Sequence, residues 1–488
     1  MAWAAIVSLA TAQAWFVSAQ TARPIPRPPA QDPGAPPAGS AAPDGYAPIP
    51  AWLGQTRAPR VAVSVPYEIE TVASGIVGGY SIDVLPDGRM LLAERPGRLR
   101  IIDRGQLSAP LAGLPAIYAG GPQGLCGAIA DREFATNRTV YLAYTASDPG
   151  MPSPAPRLAG VLTIARARLS ANSSTLEDVR VLLKAEGIGG RMIQAADGTL
   201  LITSSIPAGI GINSEDWPQP QQLDSLMGKV LRINTDGSVP RDNPFVGRTG
   251  ARPEIFALGI RDDQGLAIHP RTGRLWASEH GPRGGDEINV VQSGRNYGFP
   301  VIGYGRDYNG KPINGDRTSQ SGMEQPAYFW TPDIAPAGIA FYRGTLFHAW
   351  QGNLFVAALA GKHLVRLVLQ GDRVVSEERL LTELDTRIRD VREGTDGALY
   401  VLTDRDGGKV LRMVPSKGQR AKGKGQRAKA VVVKPVLTTA LRWRAFGGYK
   451  RQPQSTAHLD LIRRAPEPHD ADVDAENDAP DERLQQEG

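Results

Sequence analysis

Residues 194–204 read QAADGTLLITS: a polar approach, an Asp-Gly pair, and then a run from Leu200 to Ser204 suited to a strand. Asp-Gly favours a tight reversal, because glycine reaches the positive φ such turns need and aspartate bonds its own backbone two residues on. The segment is therefore read as a β-hairpin. The same grammar recurs in VLPDGRMLLAE (84–94), ADREFATNRTVYLAY (130–144), HPRTGRLWASE (269–279), WQGNLFVAAL (350–359) and EGTDGALYVLT (393–403). These six hairpins are separated by enough chain for about four strands each, which fits propeller blades with inserted loops. No long window carries the apolar period of a helix, and a β-sandwich needs far less chain. The expected fold is all-β, a six-bladed β-propeller over residues 60–415.

The flanks differ in composition. Residues 1–19, MAWAAIVSLATAQAWFVSA, carry no charge and end in Val-Ser-Ala, so a secretory signal peptide is expected, with a membrane anchor as the alternative because no Lys or Arg precedes the apolar run. The expected location is periplasmic or secreted. Residues 20–52 are rich in Pro and Ala and hold too little apolar surface to offset ordering entropy, which makes them a disordered linker. Residues 416–488 run from GQRAKGKGQRAKA to DADVDAENDAPDER and read as a mostly disordered tail, basic and then acidic. Of the chain 22% is charged, with a formal net charge of +5. Much of the basic excess sits in that tail, so no nucleic-acid partner is expected; the tail suits contact with a membrane surface or plain solubilisation. The single cysteine, Cys126, excludes intrachain disulfides and multi-cysteine metal sites.

Three loops carry more polarity than a turn requires. In SEHGPRGGDEIN (278–289), Asp286 and Glu287 are adjacent hard oxygen donors, and the glycines, with Tyr297 further on, let carbonyls turn inward. Gly281-Pro282 adds carbonyls, one of them on a residue without an N–H. The loop is either a Ca²⁺ site or a glycine-rich turn with solvated charges. In TRIRDVREG (386–394), Arg387 and Arg389 project to one face of a strand and need an anion between them, either a carboxylate-bearing ligand or Asp385, Asp390 or Glu393. LGIRDDQGLAIHP (258–270) sets Arg261, Asp262 and Asp263 just before a strand.

Six motifs in order, LPDGRMLLAERPGRLRII, LMGKVLRINTDGSVPRDNPF, PEIFALGIRDDQGLAIHPRTGRLW, EHGPRGGDEINVV with NYGFP, FWTPDIAPAGIAFY and RIRDVREGTDGALYVLTD, resemble the soluble PQQ-dependent aldose sugar dehydrogenases of the glucose/sorbosone dehydrogenase family. The resemblance runs from about Val65 to Met413 and implies the same six-bladed fold. It implies that the Gly281 and Pro282 carbonyls hold a Ca²⁺ that polarises PQQ, and that Arg387, Arg389 and Arg261 meet the quinone. Asp286, Glu287 and Tyr297 would form a second Ca²⁺ site. The implied reaction removes a proton from the anomeric hydroxyl of an aldose while hydride passes from C1 to the cofactor, with an external electron acceptor following.

Four departures gather at that site. In KAEGIGGRMI (184–193), Gly187 stands where the family has its catalytic histidine; in GPQGLCG the family's glutamine falls at Pro122, with Gln123 one place on; Asp262 replaces an asparagine; and SSIPAG replaces a GDRG-like turn. Glu186 and His280 are the candidate replacement bases, with Arg261 assisting; Arg261, Asp262, Arg387, Arg389 and Gln123 are the candidate cofactor contacts. The leading reading is an exported PQQ- and Ca²⁺-dependent sugar dehydrogenase with weak or altered activity. The alternative is a non-catalytic, calcium-stabilised propeller that binds a carbohydrate or protein. A metal-dependent lactonase fits less well, since no base and extra carboxylate ligands occur together. The sugar, the acceptor and the oligomeric state are not set by the sequence.

Overall fold

The computed structural model describes residues 46–120, 123–146, 160–206 and 218–416. The leader, most of the linker, Pro122, the end of SSIPAG and nearly all of the tail lie outside them. The chain forms six four-stranded antiparallel sheets, and the first strands of neighbouring sheets pack together around a central axis. This is the expected six-bladed propeller. Each quoted hairpin is the innermost pair of one blade: Gly79–Val84 with Met90–Glu94, Leu125–Ala130 with Thr139–Ala146, Met192–Gln194 with Leu200–Ser204, Asp263–Ile268 with Leu275–Glu279, Pro336–Phe341 with Leu354–Ala358, and Ile388–Glu393 with Leu399–Thr403. We number these blades 1 to 6.

The turn chemistry is as the sequence indicated. In blade 3, Asp197 Oδ1 accepts from the Thr199 N–H at 3.0 Å and Gly198 sits at φ +87°. Asp87-Gly88 and Asp396-Gly397 repeat this in blades 1 and 6. Strands such as Leu200–Ser204 and Leu354–Ala358 are buried on both faces, because each blade packs on a neighbour on either side. Every junction has its own apolar cluster. Trp276, Tyr328 and Phe341 fill that between blades 4 and 5, and Ile76, Ile82 and Leu402 that between 6 and 1.

Two features bind the ring, and neither was legible as a hairpin. Tyr67–Ile76 pairs with Gly408–Pro415 as the outer strand of blade 6, so the two ends of the propeller close on each other. At the axis, Arg191 from the start of blade 3 reaches Asp390 of blade 6 at 3.0 Å, with side chains 3% and 0% exposed. The same guanidinium donates to the carbonyls of Gln264 in blade 4 and Tyr80 in blade 1. Asp390 also accepts from the Ile82 N–H, and its close approach depends on Gly338, where a Cβ would fall 1.8 Å from Oδ1.

The part of the expected linker that the structure describes, residues 46–52, runs along the propeller together with the residues that follow it. Gln55 is buried; its side chain donates to the Pro326 carbonyl and its own carbonyl accepts from Phe329 N–H. Ala58 N–H donates to Tyr328 Oη, and Val61 N–H to the Glu377 carbonyl. Residues 46–61 thus strap blades 4 and 5. Composition missed the strap because it is held through backbone and amide groups, with little apolar patterning.

Asp390→Ala leaves Arg191 buried without its counter-charge and is expected to cost about 3–5 kcal/mol in chemical denaturation. Glu70→Ala, removing a partly exposed pair between the closing strand and Arg412 while the Arg412–Asp396 pair stays, should cost under about 1 kcal/mol.

Candidate active site

At one end of the ring lie the starts of the inner strands and the loops joining second to third strands. The sequence brings most of its candidate residues here. Arg261 is 2% exposed; its Nη1 donates to the carbonyls of His280 at 2.9 Å and Gly281 at 3.1 Å, and its Nη2 to Tyr308 Oη at 3.0 Å. Asp262 Oδ1 accepts from Gln264 Nε2 at 2.6 Å, and Oδ2 stands 3.5 Å from His280 Nδ1. Tyr80 donates to Gln264 Oε1 at 3.0 Å, so one chain of polar groups links blade 1 to His280. Burial pushes the His280 imidazole down to about 4, with Asp262 opposing and Arg261 and Arg389 reinforcing the shift. The ring is neutral, and its Nε2 is buried without a hydrogen-bond partner.

The anion joining Arg387 and Arg389 is Asp404, which none of the acids suggested by the sequence anticipated. Arg387 Nε donates to it at 2.9 Å and Arg389 Nε lies 3.5 Å away. Burial works against the Asp404 charge, but Arg389 and Arg387 outweigh it and hold the carboxyl down at about 2. Asp404 follows the second strand of blade 6 across a turn, a proximity only pairing register reveals. The Arg389 guanidinium also lies 4.9 Å from the Tyr80 ring centroid.

The proposed calcium ligands separate into different roles. Asp286 is not a free donor: Oδ1 accepts from Gly281 N–H and Oδ2 from the N–H groups of Ile334 and Ala335, so it clamps the loop to blade 5. Tyr297 donates to the Val290 carbonyl and accepts from Gln292 N–H, which commits its hydroxyl to the fold. The Gly281 carbonyl is held by Arg261. Glu287 is different. It faces Glu279, which faces Asp263, across three adjacent strands, and all three are buried. Burial raises all three carboxyls; repulsion from Glu279 adds to it at Asp263 and Glu287, while Glu279 rises to about 7 with Arg261 opposing and Asp262 reinforcing the shift. Both Asp263 oxygens and Asn289 Oδ1 are buried without partners. Beside Glu279 and Glu287 is a cavity of about 20 Å³, also lined by Arg261, His280 and Pro282 and sized for one water or one ion. Glu279 and Asp263 carried a signal, an acid at the facing end of each neighbouring strand, but only register makes them adjacent.

Glu186 does not fit the role of base. One carboxylate oxygen accepts from Leu226 N–H at 3.0 Å and the other lies 3.8 Å from Arg252, so both are committed to the fold. Gln123 is 2% exposed with its amide nitrogen unpartnered. The Gly187 departure is written into the backbone. Gly187 has φ +100°, and a Cβ there would lie 2.6 Å from the Ser205 carbonyl. Its neighbour Ile188 pairs with Ser205 through both backbone groups. A histidine therefore cannot enter by one substitution without moving the loop.

Residues 78–412 match the family model described as Glucose / Sorbosone dehydrogenase. The chain belongs to the glucose/sorbosone dehydrogenase family. It is 38% identical over 358 residues to the Aldose sugar dehydrogenase YliI of Escherichia coli (strain K12), covering 71% of this chain and 92% of that protein. The apo-form crystal structure of the soluble aldose sugar dehydrogenase from Escherichia coli superposes with TM-score 0.66 at 36% identity, over 72% of this chain and 100% of that one. Quinoprotein glucose dehydrogenase B of Acinetobacter calcoaceticus is 27% identical over 397 residues, covering 66% and 82%. The PQQ-bound aldose sugar dehydrogenase structure from Streptomyces coelicolor shares the fold, with TM-score 0.57 at 24% identity over 72% and 99%.

Within this family member, Gly187→Ala should lower stability by about 1–3 kcal/mol from backbone strain, and more if Ser205 cannot yield. A thermal melt compared with Gly198→Ala, where a Cβ meets nothing within 4 Å, separates strain from clash.

Proposed function

We propose that this protein is a PQQ-dependent sugar dehydrogenase that oxidises an aldose at C1 and passes the electrons to an external acceptor. The observation that carries the reading is two buried donors without hydrogen-bond partners, Arg261 Nε and Gln123 Nε2, together with two guanidiniums, Arg387 and Arg389, that share the single carboxylate of Asp404. Buried polar groups are rarely left without partners, and unpartnered guanidinium and amide donors with a surplus of arginine charge suit a planar ligand bearing carboxylates and carbonyls. PQQ fits that donor set, and when bound it supplies the quinone that accepts hydride. The relatives named as aldose sugar and quinoprotein glucose dehydrogenases support the same chemistry.

Arg387 and Arg389, fixed by Asp404, would hold the cofactor's carboxylates. Arg261 would face its carbonyl edge. Asp262, where the family has asparagine, turns its charge toward His280 Nδ1, so the neutral ring keeps its lone pair at Nε2 for the anomeric proton. Ca²⁺ fits beside Glu279, Glu287 and Asp263, where a cation would relieve three buried acids, better than at Asp286. Among the described residues, no three His, Cys, Asp or Glu side chains are grouped so as to hold a metal ion, so a cation there would draw on backbone carbonyls as well. A cation on the Gly281 and Pro282 carbonyls requires Arg261 to release Gly281. Export to the periplasm or exterior rests on the leader sequence, and contact of the basic tail with a membrane surface on its composition.

One observation favours the second reading, a non-catalytic propeller: the Gly187 loop excludes the family histidine sterically. Addition of PQQ and Ca²⁺ to the purified protein, followed by quinone absorbance and dye reduction with a panel of aldoses, separates the two. The enzyme reading expects a spectral change and sugar-dependent reduction. Absence of any spectral change sinks the quinoprotein, and binding without reduction selects the non-catalytic alternative. Arg387→Ala should weaken PQQ binding by a factor on the order of ten to a hundred, the worth of one or two bonds to a charged group.

A further inference from the structure

The opposite end of blade 4 carries a second concavity. Arg274 immediately precedes the strand Leu275–Glu279 and His280 follows it, so the two residues are separated by roughly 20 Å of extended chain. Here the outer parts of blades 4 and 5 and the N-terminal strap enclose a cavity of about 200 Å³, open along one side. Its floor is Val290 and Ala327, both largely buried. Trp52 of the strap forms a wall, and the Arg373 guanidinium carbon lies 5.7 Å from the indole centroid, which fixes the ring plane. Asp372, Glu324 and Gln292 complete the rim.

We propose that this trough binds a neutral saccharide through one pyranose ring. Three properties select that class. The charges balance, with Arg274 and Arg373 against Glu324 and Asp372, so neither an anion nor a cation is favoured. Arg274 and Asp372 are paired to each other, Glu324 is 3.4 Å from Arg295, and no desolvated charge awaits an ionic ligand. The rim is too polar for a hydrocarbon, yet one wall is an aromatic face and the floor is apolar. A pyranose matches this amphiphilic pattern: its C–H face lies on an indole while its vicinal hydroxyls meet planar carboxylate, guanidinium and amide groups. The volume is below the roughly 300–1,000 Å³ of sites for drug-sized ligands and is of monosaccharide scale. The strap supplies the aromatic wall, which gives the ordering of residues 46–61 a purpose beyond closing blades 4 and 5.

The test is calorimetric titration of the full-length protein, without PQQ, with glucose, maltose and cellobiose. At least one sugar is expected to bind, with a dissociation constant on the order of millimolar. Trp52→Ala should weaken it tenfold or more, whereas Arg261→Ala, at the other end of the ring, should leave it unchanged. Gln292→Ala, at an exposed side chain that cannot compromise folding, should weaken it about threefold and guards against a displaced strap in the tryptophan variant. The proposal is overturned if none of the three sugars binds, if Trp52→Ala and Gln292→Ala both bind as the parent does, or if the binding is lost in Arg261→Ala.

Discussion

A single buried ion pair, Arg191 with Asp390, holds four blades in register at the axis. Blades packed through apolar faces are free to slide, since hydrophobic contact is non-directional. The guanidinium removes that freedom. Its donors lie in fixed directions, and each takes an acceptor from a different blade. Desolvation of two charges is costly, so the pair contributes more to geometry than to net stability.

The candidate active site is built on this frame. Arg389 precedes Asp390 by one residue and Tyr80 lies two before Ile82, so the axial pair also sets where the arginine and the phenol stand. Gln264, whose carbonyl serves Arg191, uses its amide to join Tyr80 to Asp262 and hence to His280. The polar chain at the mouth is thus continuous with the bonds that close the ring. Polar capacity that the fold does not satisfy is concentrated in two places: donors without hydrogen-bond partners on Arg261 and Gln123, and three buried carboxyls that meet across blade 4. Perturbed and unsatisfied groups gathered in this way mark a candidate functional site.

Asp262 and Gly187, two of the positions where the sequence departs from the resemblance, differ in kind. The first adds a carboxylate that the structure has already turned toward a neighbouring imidazole. The second is accompanied by backbone that only glycine adopts, at Gly187, Gly189 and Gly190, all with φ between +93° and +100°.

The sequence by itself determined the blades. Hairpin turns are local, written by Asp-Gly pairs and strand-forming runs within a dozen residues, so six of them were readable without any tertiary knowledge. It also named Arg261, Arg387, Arg389 and His280, because charge on a turn is conspicuous. Only the tertiary structure decided what each does, since that depends on partners distant in the chain. Asp404 meets the arginine pair through the strand pairing of blade 6, and Asp263, Glu279 and Glu287 become one acidic cluster through the register of blade 4. Asp286, read as a metal ligand, is consumed by backbone donors from blade 5. Glu186 is drawn to Leu226 and Arg252, and the strap at residues 46–61 is held by hydrogen bonds that leave no apolar signature. Local conformation is a property of neighbours in sequence; the protonation, pairing and availability of a side chain are properties of neighbours in space.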